Sequence, residues 1–175
     1  MSRELLLRNR QRVRRINLRL LRQITETLLT DLLGVKDFEL GVQVVSAKEM
    51  ARINKQFLQH EGSTDVITFN YSDRPSASSS PIGWERVGVR VLHGELFICI
   101  DDAVAQARPF RTTWQSEIVR YVVHGILHLQ GFDDSTPDAR RKMKRQENHL
   151  MRALAKRFSF HQLGSPARQI INRKS

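Results

Sequence analysis

A single cysteine, Cys99, is all the thiol that this 175-residue chain carries. One thiol cannot staple a fold, so stability has to come from packing, which suits a reducing cytoplasm. Cys99 lies in a strand-like run over residues 95–100 and reads as a small buried hydrophobe rather than a nucleophile. Long apolar runs are missing as well. Each candidate is broken by His, Gly or Arg, which excludes a membrane-crossing helix of the usual length. Leu5-Leu6-Leu7 is followed at once by Arg8, too short a core for a signal peptide. The expected location is the cytoplasm, with no membrane partner. No internal repeat is visible, and 175 residues suit one domain with a real hydrophobic core.

Acidic residues are also scarce, 18 against 29 basic ones, and the formal charge is +11. Arginine dominates: Arg3, Arg8, Arg10, Arg12, Arg14, Arg15, Arg19 and Arg22 all fall within the first 22 residues. Such density attracts phosphate polymers through neutralisation and counterion release, and the guanidinium fork matches phosphate oxygens. The same charges could solvate a helix face or rest on a membrane surface. Without an amphipathic anchor pattern, RNA is the favoured partner class. Arg8, Arg10, Arg12, Arg14 and Arg15 are the candidate RNA-binding residues. No nucleotide cofactor is expected.

The pattern predicts an α+β fold with a small mixed sheet. Residues 4–9 read as an opening strand, and Leu18, Leu21, Thr25, Leu28, Leu29 and Leu32 as a helix over 18–33, stopped by Gly34. Leu40, Val42 and Val44 alternate as a strand, and Ser46 with Glu49 forms a capping box for a helix over 47–58. Residues 65–69 make another strand. The Ser- and Pro-rich segment 72–83 is expected to be a flexible surface loop. Residues 87–92 and 95–100 flank His93-Gly94 as a strand pair, or as one strand with a bulge, and Asp101 or Asp102 should cap a helix through Ala107.

Thr112 or Thr113 should start a helix to about Leu129, with Ile118, Val122, Ile126 and Leu129 inward and Gly131 as its stop. Ser135-Thr136-Pro137-Asp138 announces a last helix, whose buried stripe is Ala139, Met143, Leu150, Leu154 and Phe158. The domain is expected to occupy 1–160, leaving 161–175 as a basic, disordered tail.

Chemistry concentrates in His-Gly-Ile-Leu-His-Leu-Gln-Gly-Phe-Asp-Asp, residues 124–134. His124 and His128 leave one helix face a turn apart and can close on a single metal ion. Gly131 turns the chain so that Asp134 can swing back beneath it, in the spacing H-x3-H-x2-G-x2-ligand. Three protein ligands leave a fourth position open, as catalytic zinc sites do. Histidines at this spacing alone are more often ordinary surface or core residues; the glycine turn and the carboxylate shift the balance. His60, His93, His149 and His161 have no such partners and read as polar surface or loop residues. A zinc protease needs a general-base carboxylate directly after the first histidine, and here that position is Gly125. Phosphodiester cleavage asks less of that position, so with the arginines the reading becomes RNA cleavage.

At these residues the chain resembles the YbeY family of bacterial rRNA maturation endoribonucleases, whose motif reads H-G-x-L-H-L-x-G-Y-D-H. His124 to Asp133 follow it with Phe132 for Tyr. Ile53-Asn54 with the run from Thr64 to Phe69 is similar to the family's L-N and T-D-V-L-S-F blocks. The run from Gly94 to Ile98 is similar to G-D-I-x-I, and Met143 with Glu147 to M-x3-E; the likeness covers roughly residues 4–158. Two positions depart. Asp134 stands where the family has a third histidine, and Leu58 where an arginine associated with RNA cleavage is often found. The resemblance implies a single α+β domain whose small mixed four-stranded sheet packs with about five or six helices, one zinc ion on His124, His128 and Asp134, and a metal-dependent single-strand-type endoribonuclease. It further implies work on small-subunit rRNA and ribosome quality control, with rRNA and the small subunit as partners. The alternative is a ribosome-assembly or RNA-binding factor whose metal is structural, which Leu58 favours. A zinc peptide hydrolase is a third reading, opposed by Gly125.

Overall fold

The computed structural model describes residues 2–72 and 91–164. Its elements run β1 (Arg3–Asn9), α1 (Leu18–Thr27), β2 (Phe38–Val45), α2 (Ala47–Ile53), β3 (Val66–Asn70), β4 (Leu92–Cys99), α3 (Ile100–Ala107), α4 (Trp114–Leu129) and α5 (Pro137–Arg157). The four strands form one mixed sheet in the order β1-β2-β4-β3, so the fold is α+β as expected. β1 and β4 run parallel to β2, and β3 pairs antiparallel with β4.

Alternation along the strands decides what each face buries. Leu40, Val42 and Val44 of β2 and Leu96 and Ile98 of β4 join Leu21, Ile24, Ile118, Val122, Ile126, Leu150 and Leu154 in the main core. Val45, Ile67 and Cys99 point the other way, into a smaller cluster with Met50 and Ile53 of α2. Cys99 is fully buried, and burial pushes its thiol up to about 12, so it is packing material. α4 is the central helix, buried along much of its length, which is why its sequence is the most apolar of the helices.

Several local expectations need correction. His93-Gly94 interrupts nothing: β4 runs straight through, with Gly94 opposite Leu40 on one side and Asn70 on the other. Residue 100 opens α3 rather than ending the strand, and neither Asp101 nor Asp102 caps it; Cys99 occupies the cap position without a side-chain bond. Asp101 instead accepts from the backbone N–H of Ala47 at 2.6 Å, tying α3 to the start of α2. Ser46 does cap α2, accepting from Glu49 N, but the return half of the box is missing because Glu49 pairs with Arg10 and Arg52. The helix expected over 47–58 is regular only to Ile53 and continues as a π turn over Asn54–Leu58, closed by Gln59 at φ 56°. Likewise α1 passes into a π turn at Leu28–Leu32.

In α5 the buried stripe includes Glu147 and Met151, whereas Ala139 and Phe158 are half-buried. The packed chain also passes the boundary expected at His161. Phe160–Gly164 forms a short 3-10 helix, Leu163 is fully buried, and its carbonyl accepts from Asn17 N at 2.8 Å. The expected loop over 72–83, beyond Ser72, the first four residues of the strand expected over 87–92, and the tail from residue 165 lie outside the described residues.

Candidate metal centre

Thr113 accepts from Ser116 N at 3.2 Å and starts α4, and α4 carries both histidines near its C-terminus. Between them, Gly125 faces the sheet. A Cβ there would come within 2.7 Å of Leu96 Cδ2 and 3.3 Å of Thr68 Oγ1, so this turn of α4 lies closer to β3 and β4 than any side chain permits. The position that holds the general base in a zinc protease is therefore sealed by packing here.

Gly131 at φ +91° ends the helix in the left-handed region, with Gly131 N bonded to His128 O and Phe132 N to Leu127 O. The chain reverses, and Asp133 Oδ1 accepts from the backbone N–H groups of Asp134 and Ser135. The Ser135 hydroxyl, which donates to Asp133 Oδ2, and then these backbone bonds hold the Asp133 carboxyl below its ordinary range. Arg140 donates to the Asp134 carbonyl from the first turn of α5, which Thr136 caps. Asp134 thus hangs from a backbone pinned on both sides.

The three expected ligands do converge. His124 Nε2 and His128 Nε2 are 3.1 Å apart, and each is 3.9 Å from Asp134 Oδ2. The atoms lie within 4.8 Å of one another, a group that could hold a metal ion. Zinc bonds of ~2.0–2.1 Å in a tetrahedron put neighbouring ligands roughly 3.3 Å apart, and these separations bracket that value.

The outer nitrogens fix the chemistry. His128 Nδ1 is 3.0 Å from the Phe132 carbonyl, and His124 Nδ1 is 3.1 Å from Glu147 Oε2. A carbonyl and a carboxylate only accept, so each Nδ1 carries the proton. In the neutral rings both Nε2 atoms then present lone pairs toward each other and toward a carboxylate oxygen. Three acceptors facing one point with no donor among them could hold a cation, and two imidazoles with one carboxylate make a donor set suited to zinc.

Glu147 is the residue that sequence reasoning missed as part of the site. It was visible only as the end of an M-x3-E likeness, with no role attached. It is 3% exposed, and its Oε1 accepts from Arg120 at 2.5 Å and Lys144 at 2.8 Å. Burial raises its pKa, but hydrogen bonds from His124, Lys144 and Arg120 outweigh that and bring it down to about 2. The carboxylate therefore stays charged and orients His124 from behind, the usual outer partner of a metal-binding imidazole.

Two clefts meet at His124 and Asp134. One of about 450 Å³ runs along the outer edge of β3, past Thr68 and Asn70, with Leu58 on its far wall. The other, of about 360 Å³, lies between α3, α4 and α5 and includes Arg120, Tyr121 and Lys144. His124 and Asp134 line both.

Comparison with known proteins gives the site its context. Residues 6–155 match the family described as Endoribonuclease YbeY. The chain belongs to the YbeY family. Relatives named Endoribonuclease YbeY include one from Chlorobium limicola, 36% identical over 132 residues (74% of this chain, 81% of that one), and one from Salinibacter ruber, 31% identical over 126 (72% and 76%). A solution structure from Thermotoga maritima shares the fold at a TM-score of 0.52 and 24% identity, covering 94% of this chain and 99% of that one.

Against the YbeY motif, Asp134 takes up the position facing the two histidine rings, so the substituted residue keeps its place in the group. Leu58 stands at the end of the π turn, 45% exposed beside Phe57, and borders the β3 cleft where an arginine is often found in the family. Asn54, the second residue of the L-N pair, is buried and donates to Gly62 O at 3.0 Å, which braces this wall. Arg8 lies in β1, at the sheet edge opposite β3, and Arg10, Arg12, Arg14 and Arg15 follow it. Arg10 pairs with Glu49, and Arg14 donates to Val13 O. The fold does not bring these arginines into the metal centre. His60, His93 and His149 stay outside the ligand group, His93 lying 3.7 Å from Glu39.

Proposed function

We propose that this chain is a zinc-dependent endoribonuclease of small-subunit rRNA maturation and ribosome quality control, with one ion held by His124, His128 and Asp134. The observation that carries the reading is the three acceptor atoms, His124 Nε2, His128 Nε2 and Asp134 Oδ2, facing one another at the junction of two open clefts. A zinc ion there would supply Lewis acidity to a phosphodiester and to its attacking hydroxyl. The chain's own part is positional. Glu147 holds the His124 tautomer, Gly125 keeps α4 against the sheet, and Lys144, Arg120 and Arg140 ring one cleft with positive charge. Arg8, Arg10, Arg12, Arg14 and Arg15 would take the RNA backbone three strand positions away, roughly 14 Å across the sheet.

No helix among the described residues is long and apolar enough to cross a membrane, and the only cysteine is buried and unpaired; both accord with a cytoplasmic setting beside the ribosome. The second reading is an assembly factor that binds rRNA or a ribosomal protein with a structural ion. It is favoured by Leu58 and Phe57, 45% and 57% exposed, which give the β3 cleft an apolar lip.

Incubation with structured RNA, with and without chelator and beside His128→Ala, separates them. Cleavage lost in both samples is the expected result. Cleavage that survives both would sink the metal-enzyme reading, and RNA binding without any cleavage would favour the assembly factor.

A further inference from the structure

The cavity between α3, α4 and α5 contains groups that phosphodiester cleavage leaves without a task. Its volume of about 360 Å³ is that of a small-ligand site. Tyr121 lines it and is 4% exposed, yet its hydroxyl has no hydrogen-bond partner among the described residues. An unpaired buried hydroxyl is costly, and a ligand that bonds to it recovers that cost. Glu117, 5% exposed, lies one helical turn before Tyr121 on the same face and accepts from Thr112 Oγ1 at 2.5 Å. Asp65 adds a second carboxylate, and Gln106 an amide. Phe110, 68% exposed, lines the same cavity from the connection between α3 and α4.

This set selects a ligand by chemistry. Arg120, Arg140 and Lys144 on the α4 and α5 walls suit the phosphate, while the Glu117 and Asp65 carboxylates accept N–H groups. An exposed aromatic ring beside them offers a platform for a flat heterocycle, the usual way in which proteins hold an unpaired base. Glu117, Tyr121 and His124 follow one another along α4, and from Glu117 to His124 is about 10 Å of helix, the span of one nucleotide. Guanine alone among the four RNA bases presents two adjacent N–H donors next to a carbonyl oxygen on one edge.

We infer that this cavity is a guanine subsite for the strand whose phosphate lies at the metal centre. Phe110 stacks on the base, the Glu117 carboxylate accepts from N1–H and N2–H2, and the Tyr121 hydroxyl donates to O6. The polymer rests on the RNA reading above; the base recognition rests on the cavity. Burial, with Asp65 and Glu117 close by, raises the tyrosine pKa, so its hydroxyl keeps the proton it donates.

The test is equilibrium binding of labelled five-nucleotide RNAs, UUGUU, UUAUU and UUUUU, to the chelated full-length protein at fixed salt. The expected result is UUGUU bound about tenfold more tightly than UUUUU. Glu117→Gln should erase that preference, and Phe110→Ala should weaken all three about tenfold. Tyr121→Phe should reduce the preference for guanine while leaving the melting temperature equal or higher, because it removes an unpaired hydroxyl; a purely structural tyrosine would give no change in binding. Equal affinities in the wild type, or a preference that survives Glu117→Gln, would overturn the inference. Cleavage is scored separately on the unchelated protein. A guanine preference without cleavage would leave this site standing and remove the nuclease reading; cleavage without the preference would do the reverse.

Discussion

Replacing Glu147 with Gln should weaken metal binding at the candidate centre while leaving the side chain's volume filled. Glu147 Oε1 accepts from Arg120 and Lys144, and Oε2 accepts from His124 Nδ1–H. An amide has one acceptor oxygen where the carboxylate has two. With two cations drawing that oxygen, the amide nitrogen turns toward His124, and there an N–H meets an N–H. The conflict ends when the imidazole adopts its other tautomer, with the proton on Nε2, the atom that faces Asp134 and His128. Loss of an outer partner of this kind costs ~10–100-fold in metal affinity, or about 1.4–2.7 kcal/mol.

The assay is a competition titration of zinc against a chromophoric chelator near neutral pH, where Glu147, with its pKa held down to about 2, is fully charged. Melting in the presence of chelator reports the fold by itself. It should fall as well, since charge-assisted bonds to a carboxylate at 3% exposure are lost, on the order of 1–3 kcal/mol. Lys144→Met is the matched control. Lys144 is 57% exposed and touches only Oε1, so removing it should change zinc affinity about threefold or less. Zinc affinity within twofold of wild type in a folded Glu147→Gln protein would refute the tautomer argument.

Gly125→Ala should destabilise by ~1–3 kcal/mol, read as a lower melting temperature, because its Cβ would meet fully buried Leu96 at 2.7 Å; an unchanged melting temperature would mean that α4 can lift from the sheet freely. Asp31 is held below its ordinary pKa by the Thr30 hydroxyl and by Arg157 at 2.7 Å. A depressed carboxylate stabilises above its unfolded pKa of 3.8 and loses that contribution as pH falls through the folded value. The melting difference between wild type and Asp31→Asn should therefore be present at pH 5, shrink toward pH 3 and weaken in high salt; a pH-independent difference would contradict it. Leu58→Arg should tighten RNA binding and steepen its salt dependence by about one unit of slope, since a cation is restored to the β3 cleft; an unaltered slope would place the RNA elsewhere.

Legibility in the sequence followed the range of the signal. The α4 turn was readable because every part of it is local: Thr113 as cap, histidines four apart, Gly131 at the positive φ, Asp134 three residues further. Glu147 was not, because it reaches His124 across 23 residues from a different helix, and a carboxylate on a basic helix looks like one more solvated charge. Alternation located β2 and β4, but their parallel pairing places β3 outside β4, and no pattern within a single strand states which neighbour it will have. That order sends the arginine-rich segment to the far edge of the sheet. Proximity of Arg8–Arg15 to the histidines was never a property of the chain's linear charge. The π turn at Asn54–Leu58 was equally hidden, since its residues are as helix-compatible as those before it.

The anion at Asp134 changes the charge balance of the site, and the surrounding residues answer it. Two neutral imidazoles and a carboxylate would leave a divalent ion a net charge of +1, where three imidazoles would leave +2, so Lewis acidity is weaker at the ion itself. Glu147 makes His124 a stronger donor still, which pushes in the same direction. Arg120 and Lys144 bind that carboxylate and, with Arg140, put three cations into the cavity that His124 and Asp134 also line. Arg140 is additionally tied to the Asp134 carbonyl, so the cation is held close to the residue whose charge it offsets. A phosphate at this centre would therefore meet positive charge spread between the ion and α4 and α5. On the proposed reading the cations of this cavity would matter more here than around a three-histidine centre, and the far arginines would hold the strand rather than assist at the ion.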